Sequence, residues 1–213
     1  MEYVTRNFNK STVVFDGYSG PSIRDTTHHR QTKGANSSKV IFPDTTPLIS
    51  KKEPFLAISE NKQNFLKLRD EKLRTTGVQT SNADGDADVL IAQTGVDYAT
   101  AGVTYVIGED TDILVLLCHH AKSETKGLYF KSEKSKSRHQ LWNILLLREK
   151  LGEQVCRHLP FIHAICGCDT TSRLHGIGKG TALKKARTDK QRHSIQSKAE
   201  HWYVSTKAKS AMT

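Results

Sequence analysis

The sequence predicts an α/β domain with a mainly parallel sheet. Three observations predict it. Short, β-branched apolar runs alternate with longer stretches of helical periodicity. Gly, Pro and Asp-Gly steps punctuate the boundaries between them. Hydrophobic residues make up 36% and charged residues 25% of 213 residues, which supports a real core and excludes wholesale disorder.

Taken in order, residues 11–15 (STVVF) are β-branched and apolar and run into Asp16-Gly17, the pattern of a buried strand closed by a turn. Residues 19–52 are rich in Ser, Thr, Pro, Gly and basic side chains and are expected to form a long basic loop. Residues 60–76 carry Phe65, Leu66, Leu68 and Leu73 between charges, an amphipathic helix stopped by Gly77. Residues 86–101 form a second helix, and residues 103–107 (VTYVI) a second buried strand. Residues 113–117 are apolar on both faces and fit either a strand or a buried helix. Residues 128–130 predict a short strand. Residues 141–158 predict a helix with a Leu-rich face, after which Pro160 begins the next segment. From Lys179 to Thr213 there are nine Lys/Arg and two Asp/Glu, read as a basic helix followed by a loose tail.

Composition narrows the function classes. Lys and Arg number 32 against 22 Asp and Glu, a formal charge of +10. That surplus favours polyanions, nucleic acid before anionic membrane. The longest apolar runs are five and four residues (113–117 and 144–147), far short of the ~18 that span a bilayer, so no membrane association is expected. The start, MEYVTRNFNK, lacks the apolar stretch of a secretory signal. Four cysteines (Cys118, Cys156, Cys166, Cys168) are too few for a disulfide scaffold, which points to a reducing compartment. The expected location is intracellular, with nuclear placement suggested by charge alone.

Against this basic background, several acids adjoin strongly apolar sequence. Asp16 closes the first strand. Asp86 and Asp88 open a helix in GDADVLIA. Asp110 and Asp112 lie between VTYVIGE and ILVLL, and Asp169 follows ICGC. A carboxylate drawn toward an apolar interior is costly unless it is paired or bound to metal. In parallel α/β sheets, ligands bind beyond the carboxyl ends of the strands, where Asp16 and Asp110 are placed. Clustered carboxylate oxygens suit Mg²⁺ or Mn²⁺, and two such ions about 3.5–4 Å apart promote phosphodiester hydrolysis. Plainer roles compete: Asp86 as a helix cap, Asp16 as part of an Asp-Gly turn, Asp110 and Asp112 as caps of the next element. On a helix Asp86 and Asp88 share a face only if Asp86 lies at its edge, whereas Asp84 and Asp88 are four apart.

Beyond Asp169 comes Gly176-Ile177-Gly178-Lys179-Gly180-Thr181-Ala182. Alternate glycines allow a sharp turn and close backbone approach. Amides opening the following helix then face outward toward a phosphate, with Lys179, Lys184 and Lys185 beside them. An ordinary turn between helices is the competing reading.

The order of these parts resembles the flap endonuclease (XPG-type) 5′ nucleases of the PIN-like superfamily. GCDTTSRLHGIGKGTALKKA (residues 167–186) resembles the family's Gly-x-Asp followed by Gly-Ile-Gly and a helix–turn–helix that grips duplex phosphates. VVFDGY resembles its strand ending in Phe-Asp-Gly, GDADVLI its acidic pair, and GEDTDILVL its Asp-x-Asp. The leucine-rich helix and LPFIHAICGCDTTS are also similar to PIN-like proteins linked to mobile elements. The likeness runs from about Ser11 to Ala186. It implies a three-layer PIN-like domain over residues 1–183, including a helix–turn–helix element at residues 167–186, and a basic helix or tail over residues 184–213. It implies metal-dependent phosphodiester hydrolysis, with Asp16, Asp86, Asp88, Asp110, Asp112 and Asp169 as catalytic, metal-holding residues for two Mg²⁺ or Mn²⁺ ions. Gly176, Gly178, Lys179, Gly180, Lys184 and Lys185, with Arg24 and Arg30 of the basic loop, would bind nucleic acid, DNA favoured over RNA.

Three departures qualify the likeness. The family carries another metal-binding Asp on an earlier strand, but only fifteen residues precede Asp16 and residues 1–10 contain no Asp. The expectation is therefore an N-terminally truncated or degenerate copy. The acidic pair is Asp/Asp rather than Glu/Glu, one methylene shorter on each side, and the aromatic residue common after the final Gly-x-Asp is Thr170. Two alternatives follow: a catalytically inactive nucleic-acid-binding remnant, and a protein-interaction domain of the same fold.

Zinc is not expected. Cys156, His158, His163, Cys166 and Cys168 are dense, yet no Cys-x₂-Cys pair occurs and Cys-Gly-Cys is a poor tetrahedral spacing, so buried thiols are the reading. Trp202 and Tyr203 in the basic tail are read as local packing rather than base stacking.

Overall fold

The structure, a computed structural model, describes residues 4, 6, 10–17, 52–56, 58–132, 140–168 and 179–186. The protein is mixed α/β. It divides into two compact units, Met1–Leu90 and Ile91–Thr213. Among the described residues no helix is long and apolar enough to cross a membrane.

The first unit holds strand β1 (Thr12–Phe15), helices α1 (Lys52–Leu56) and α2 (Ser59–Thr75), and strand β2 (Gln79–Asn82). The predicted strand and amphipathic helix both form. Phe15, Phe55 and Leu73 are buried. Helix α2 ends where the sequence places its stop: the Gly77 amide donates to Arg74 O at 3.0 Å and the Val78 amide to Leu73 O at 3.1 Å. These are the two bonds of a Schellman termination. Strand β2 (QTSN) was not expected, because it has no apolar alternation. It forms by pairing parallel to β1, Thr12 opposite Gln79 and Phe15 opposite Asn82. Arg74 Nε ties it to α2, donating to Thr80 Oγ1 at 2.8 Å and to Asp70 Oδ1 at 3.1 Å. Burial would raise the Asp70 carboxyl, but hydrogen bonds from Thr80 and Arg74 and the Arg74 charge outweigh it and hold the pKa below the ordinary range.

Helix α3 (Asp88–Ala101) starts in the last residues of the first unit and continues into the second. There follow strand β3 (Val103–Ile107), helix α4 (Thr111–His120), strands β4 (Gly127–Ser132) and β5 (Gln140–Asn143), and helices α5 (Ile144–Leu151), α6 (Glu153–Ile165) and α7 (Lys179–Ala186). Strand β3 pairs parallel with β4, Tyr105 opposite Tyr129, and β4 pairs antiparallel with β5, Phe130 opposite Trp142. Hydrogen bonding thus links the described strands in two groups, β1-β2 and β3-β4-β5, with both βαβ-type pairs parallel as expected.

The core of the second unit lies between β3-β4 and the helices. Val106, Leu128 and Phe130 are buried together with Ala92, Val96 and Ala99 of α3, Ile113 and Leu117 of α4, and Val155, Leu159 and Ile162 of α6. The ambiguous run 113–117 is helix. Its apolar character all round reflects Leu114, Val115 and Leu116, which also pack against the core. Asp110 fixes its start as N-cap, accepting from the Asp112 amide at 3.1 Å.

The expected single helix over residues 141–158 is corrected. Its first residues form β5, and the Asn143 side chain then caps α5 by accepting from the Leu146 amide at 3.1 Å. Gly152, at φ +86°, breaks the helix there, a conformation L side chains resist. Pro160 does not begin a new segment either but lies within α6. A proline inside a helix leaves the carbonyl four residues earlier without its amide donor. That carbonyl is Cys156 O, and His119 Nδ1 of α4 lies 3.3 Å from it, donating as the Nδ1–H tautomer. Arg148 of α5 in turn donates to Cys118 O and His119 O, two carbonyls at the C-terminal end of α4.

This substitution of a side-chain donor for a missing amide has a measurable signature. His119→Ala is expected to cost about 1–3 kcal/mol, the penalty of orphaning a part-buried carbonyl. In a Pro160→Ala background, where residue 160 regains its amide, the same change should cost clearly less. Urea unfolding of the four proteins measures both; equal costs would refute the pairing.

Candidate functional site

In the first unit, the acids gather where β1 ends. Buried Phe15 anchors the strand, and Asp16 is the next residue. Asp16 is exposed, and its Oδ1 accepts from the Ala87 amide at 3.1 Å. Backbone bonds reinforce this crossing, Ala83 N to Phe15 O at 3.0 Å and Gly17 N to Gly85 O at 2.7 Å. The approach is so close that a Cβ on Gly17 would lie 1.8 Å from Ala83 O. Only glycine fits. Asp86 lies in the same turn, its Oδ1 accepting from the Asp88 amide at 3.1 Å. Helix α3 starts at Asp88, so Asp86 occupies the N-terminal edge, and Asp84 precedes the helix rather than sharing its face.

Lys62 of α2, which sequence reasoning passed over, joins this group. Burial lowers its pKa, and the negative charge of Asp16 works in the opposite direction. Nothing in the chain's local pattern distinguishes this lysine from the others of α2; only the fold brings it near Asp16.

In the second unit, Asp110 and Asp112 open α4 just beyond the end of β3. Asp110 spends one oxygen on the cap. Asp112 Oδ1 lies 2.7 Å from His163 Nε2, both side chains being mostly buried. The sequence places His163 in a stretch dense in Cys and His. The fold instead turns it toward an acid 51 positions away. Cys118, Cys156 and Cys166 are buried free thiols and Cys168 is half-buried. Burial, reinforced by the neighbouring Cys156, pushes the Cys118 thiol up to about 12.

Among the described residues no three His, Cys, Asp or Glu side chains form a group able to hold a metal ion. The described carboxylates therefore do not by themselves fit a Mg²⁺ or Mn²⁺ site. Asp169 lies outside the described residues, as do Gly176, Gly178, Arg24 and Arg30. Of the predicted backbone-binding residues, Gly180 and Lys184 are exposed on α7, whose Ala182 and Ala186 are buried four apart. Lys179 and Lys185 belong to the same helix, but their side chains lie outside the description. Helix α7 packs on α6, while residues 169–178 between them fall outside the described residues.

No protein-family model matches this chain, and no curated protein matches it.

Two outcomes test this geometry. Asp112→Ala and His163→Ala should each destabilise the protein by about 1–3 kcal/mol. The double variant should cost less than the sum, by a coupling of about 0.5–3 kcal/mol in urea unfolding; strict additivity would contradict the contact. For Cys118 the folded pKa of about 12 lies above the ordinary 9.0. Its contribution to stability is therefore complete below about pH 9 and is lost as pH rises toward 12. Cys118→Ala should flatten that alkaline decline.

Proposed function

We propose that this chain is a PIN-like, flap-endonuclease-type domain that hydrolyses nucleic-acid phosphodiesters, with DNA favoured over RNA. One observation carries the reading: in a chain of charge +10, acids follow the C-terminal ends of two parallel-paired strands, Asp16 directly after β1, and Asp110 and Asp112 at the start of the helix that follows β3. Open α/β sheets bind their ligands at that rim. Carboxylates there have no partner in a polyanion unless cations intervene, so the reading calls for Mg²⁺ or Mn²⁺ at the strand ends, with Asp16, Asp86 and Asp88 as holders in the first unit and Asp110, Asp112 and Asp169 in the second. The described residues alone do not complete such a set. Lys62 supplies positive charge beside Asp16, suited to a phosphate oxygen. Lys184, exposed on α7, and the glycine turn before it would hold the strand away from the cut.

A second reading has its own support. Asp110 already caps a helix and Asp112 is already paired with His163, as in a nucleic-acid-binding protein that no longer cleaves. Calorimetric titration with Mn²⁺ separates the two, since the remnant has no tight ion site.

The decisive experiment incubates the purified chain with 5′-flap and single-stranded substrates in Mn²⁺. Cleavage should fall at least ~100-fold in the Asp110→Ala plus Asp112→Ala protein. Asp16→Asn, which keeps an acceptor for the Ala87 amide, should lose as much while remaining folded by circular dichroism. Unchanged cleavage in both proteins would overturn the assignment.

A further inference from the structure

Strand β3 presents its two faces very unequally. Val106 faces the core, whereas Val103 is 63% exposed, Tyr105 58% and Ile107 36%. Residues directly opposite one another in a sheet share a face. Tyr129, opposite Tyr105, and Lys131, opposite both Ile107 and Leu141, therefore belong to this outer face. Leu141 is 53% exposed. A parallel pair is normally covered on both sides, so an open face of this composition calls for an occupant.

The chemistry of the face identifies one. The Tyr105 and Tyr129 rings are stacked, with centroids 5.1 Å apart and planes 18° from parallel. Tyr129 thus covers one side of the Tyr105 ring. Among the described residues β3 is the edge of its sheet, so the other side of that ring looks outward from the edge. A flat aromatic surface held in place by a second ring, beside a lysine, matches a flat base attached to an anionic backbone. The whole chain carries a formal charge of +10. That charge attracts a polyanion and repels a second copy of the chain.

We propose that the outer face of β3 and β4 binds single-stranded DNA, one base stacking on Tyr105 while Lys131 faces the phosphate backbone. Duplex bases have no free ring face to offer, which restricts the ligand to single strands. The aliphatic flanks Val103 and Ile107 suit a thymine methyl, which favours DNA over RNA. The stacking ring, Tyr105, lies within β3, and Asp110 and Asp112 come after the strand ends. Binding there holds whether or not the chain cleaves.

The test uses the full chain and a fluorescein-labelled oligothymidylate of about twelve nucleotides, by anisotropy in EDTA, where metal-dependent hydrolysis makes no contribution. Tyr105→Ala and Tyr105→Leu should each weaken binding about 10-fold, the worth of one stacked base. The leucine variant keeps an apolar strand residue, and Tyr105→Phe should bind like the original. Lys131→Gln should lower the salt dependence by roughly one phosphate contact. The proposal is overturned if the original chain does not bind, or if both ring-deleting variants bind as well as it does. It is equally overturned if a duplex or an oligouridylate of the same length binds as tightly. A dimer in sedimentation that Tyr105→Ala dissolves would assign the face to a second copy instead.

Discussion

The second unit depends on one antiparallel pair of helices fastened near both ends. Asp112, in the first turn of α4, meets His163, in the last turn of α6; His119, near the end of α4, meets the Cys156 carbonyl, in the first turn of α6. Each pair of fastening points is seven residues apart on its own helix, a rise of about 10.5 Å on both, so the two contacts share one register. Between them lie Ile113, Leu117, Leu159 and Ile162, whose burial supplies the apolar attraction. Apolar packing alone tolerates sliding by a turn; two directional polar contacts at matched spacing do not. The position of the acids at the mouth of α4 follows from this fastening.

The carboxylates show how one residue type serves fold and chemistry in a single place. Asp16, Asp86 and Asp110 each accept a backbone amide, at Ala87, Asp88 and Asp112 respectively. Such a bond uses one of a carboxylate's several acceptor sites. It orients the group without exhausting it. The competing readings of these acids, as caps or as ligands, are thus not exclusive. A cap at the end of a strand is also a carboxylate of fixed direction at the rim where α/β proteins bind their ligands.

How far the sequence discloses this arrangement varies with the physical cause of each element. Strands β1 and β3 are legible because VVF and VTYVI are β-branched and apolar, and α2 because its apolar residues recur at helical spacing before Gly77. Strand β2 is not, because QTSN forms through a partner 67 positions away and a hydrogen bond from Arg74. The break at Gly152 hides within a leucine-rich stretch whose periodicity runs on through it. At the site, the strand-end placement of Asp16, Asp110 and Asp112 was legible. The His163 contact and the interaction of the Lys62 and Asp16 charges were not, since long-range pairing leaves no local pattern. Pro160 misled for an instructive reason: its cost to a helix is conditional, and His119 meets the condition.

The crossing at Gly17 has a kinetic side. It joins positions 68 apart through the Gly17–Gly85 backbone bond, and the β1-β2 ladder spans 67 positions. The β3-β4 ladder spans 24, and Tyr129 and Asn143 of the β4-β5 ladder are 14 apart. Loop-closure entropy grows with the logarithm of the span, so the first ladder costs about 1 kcal/mol more to close than β3-β4. Non-local pairing of this kind slows folding. The second unit is accordingly the faster to assemble, and the Asp16 turn, threaded through a crossing with no room for a side chain, is completed late.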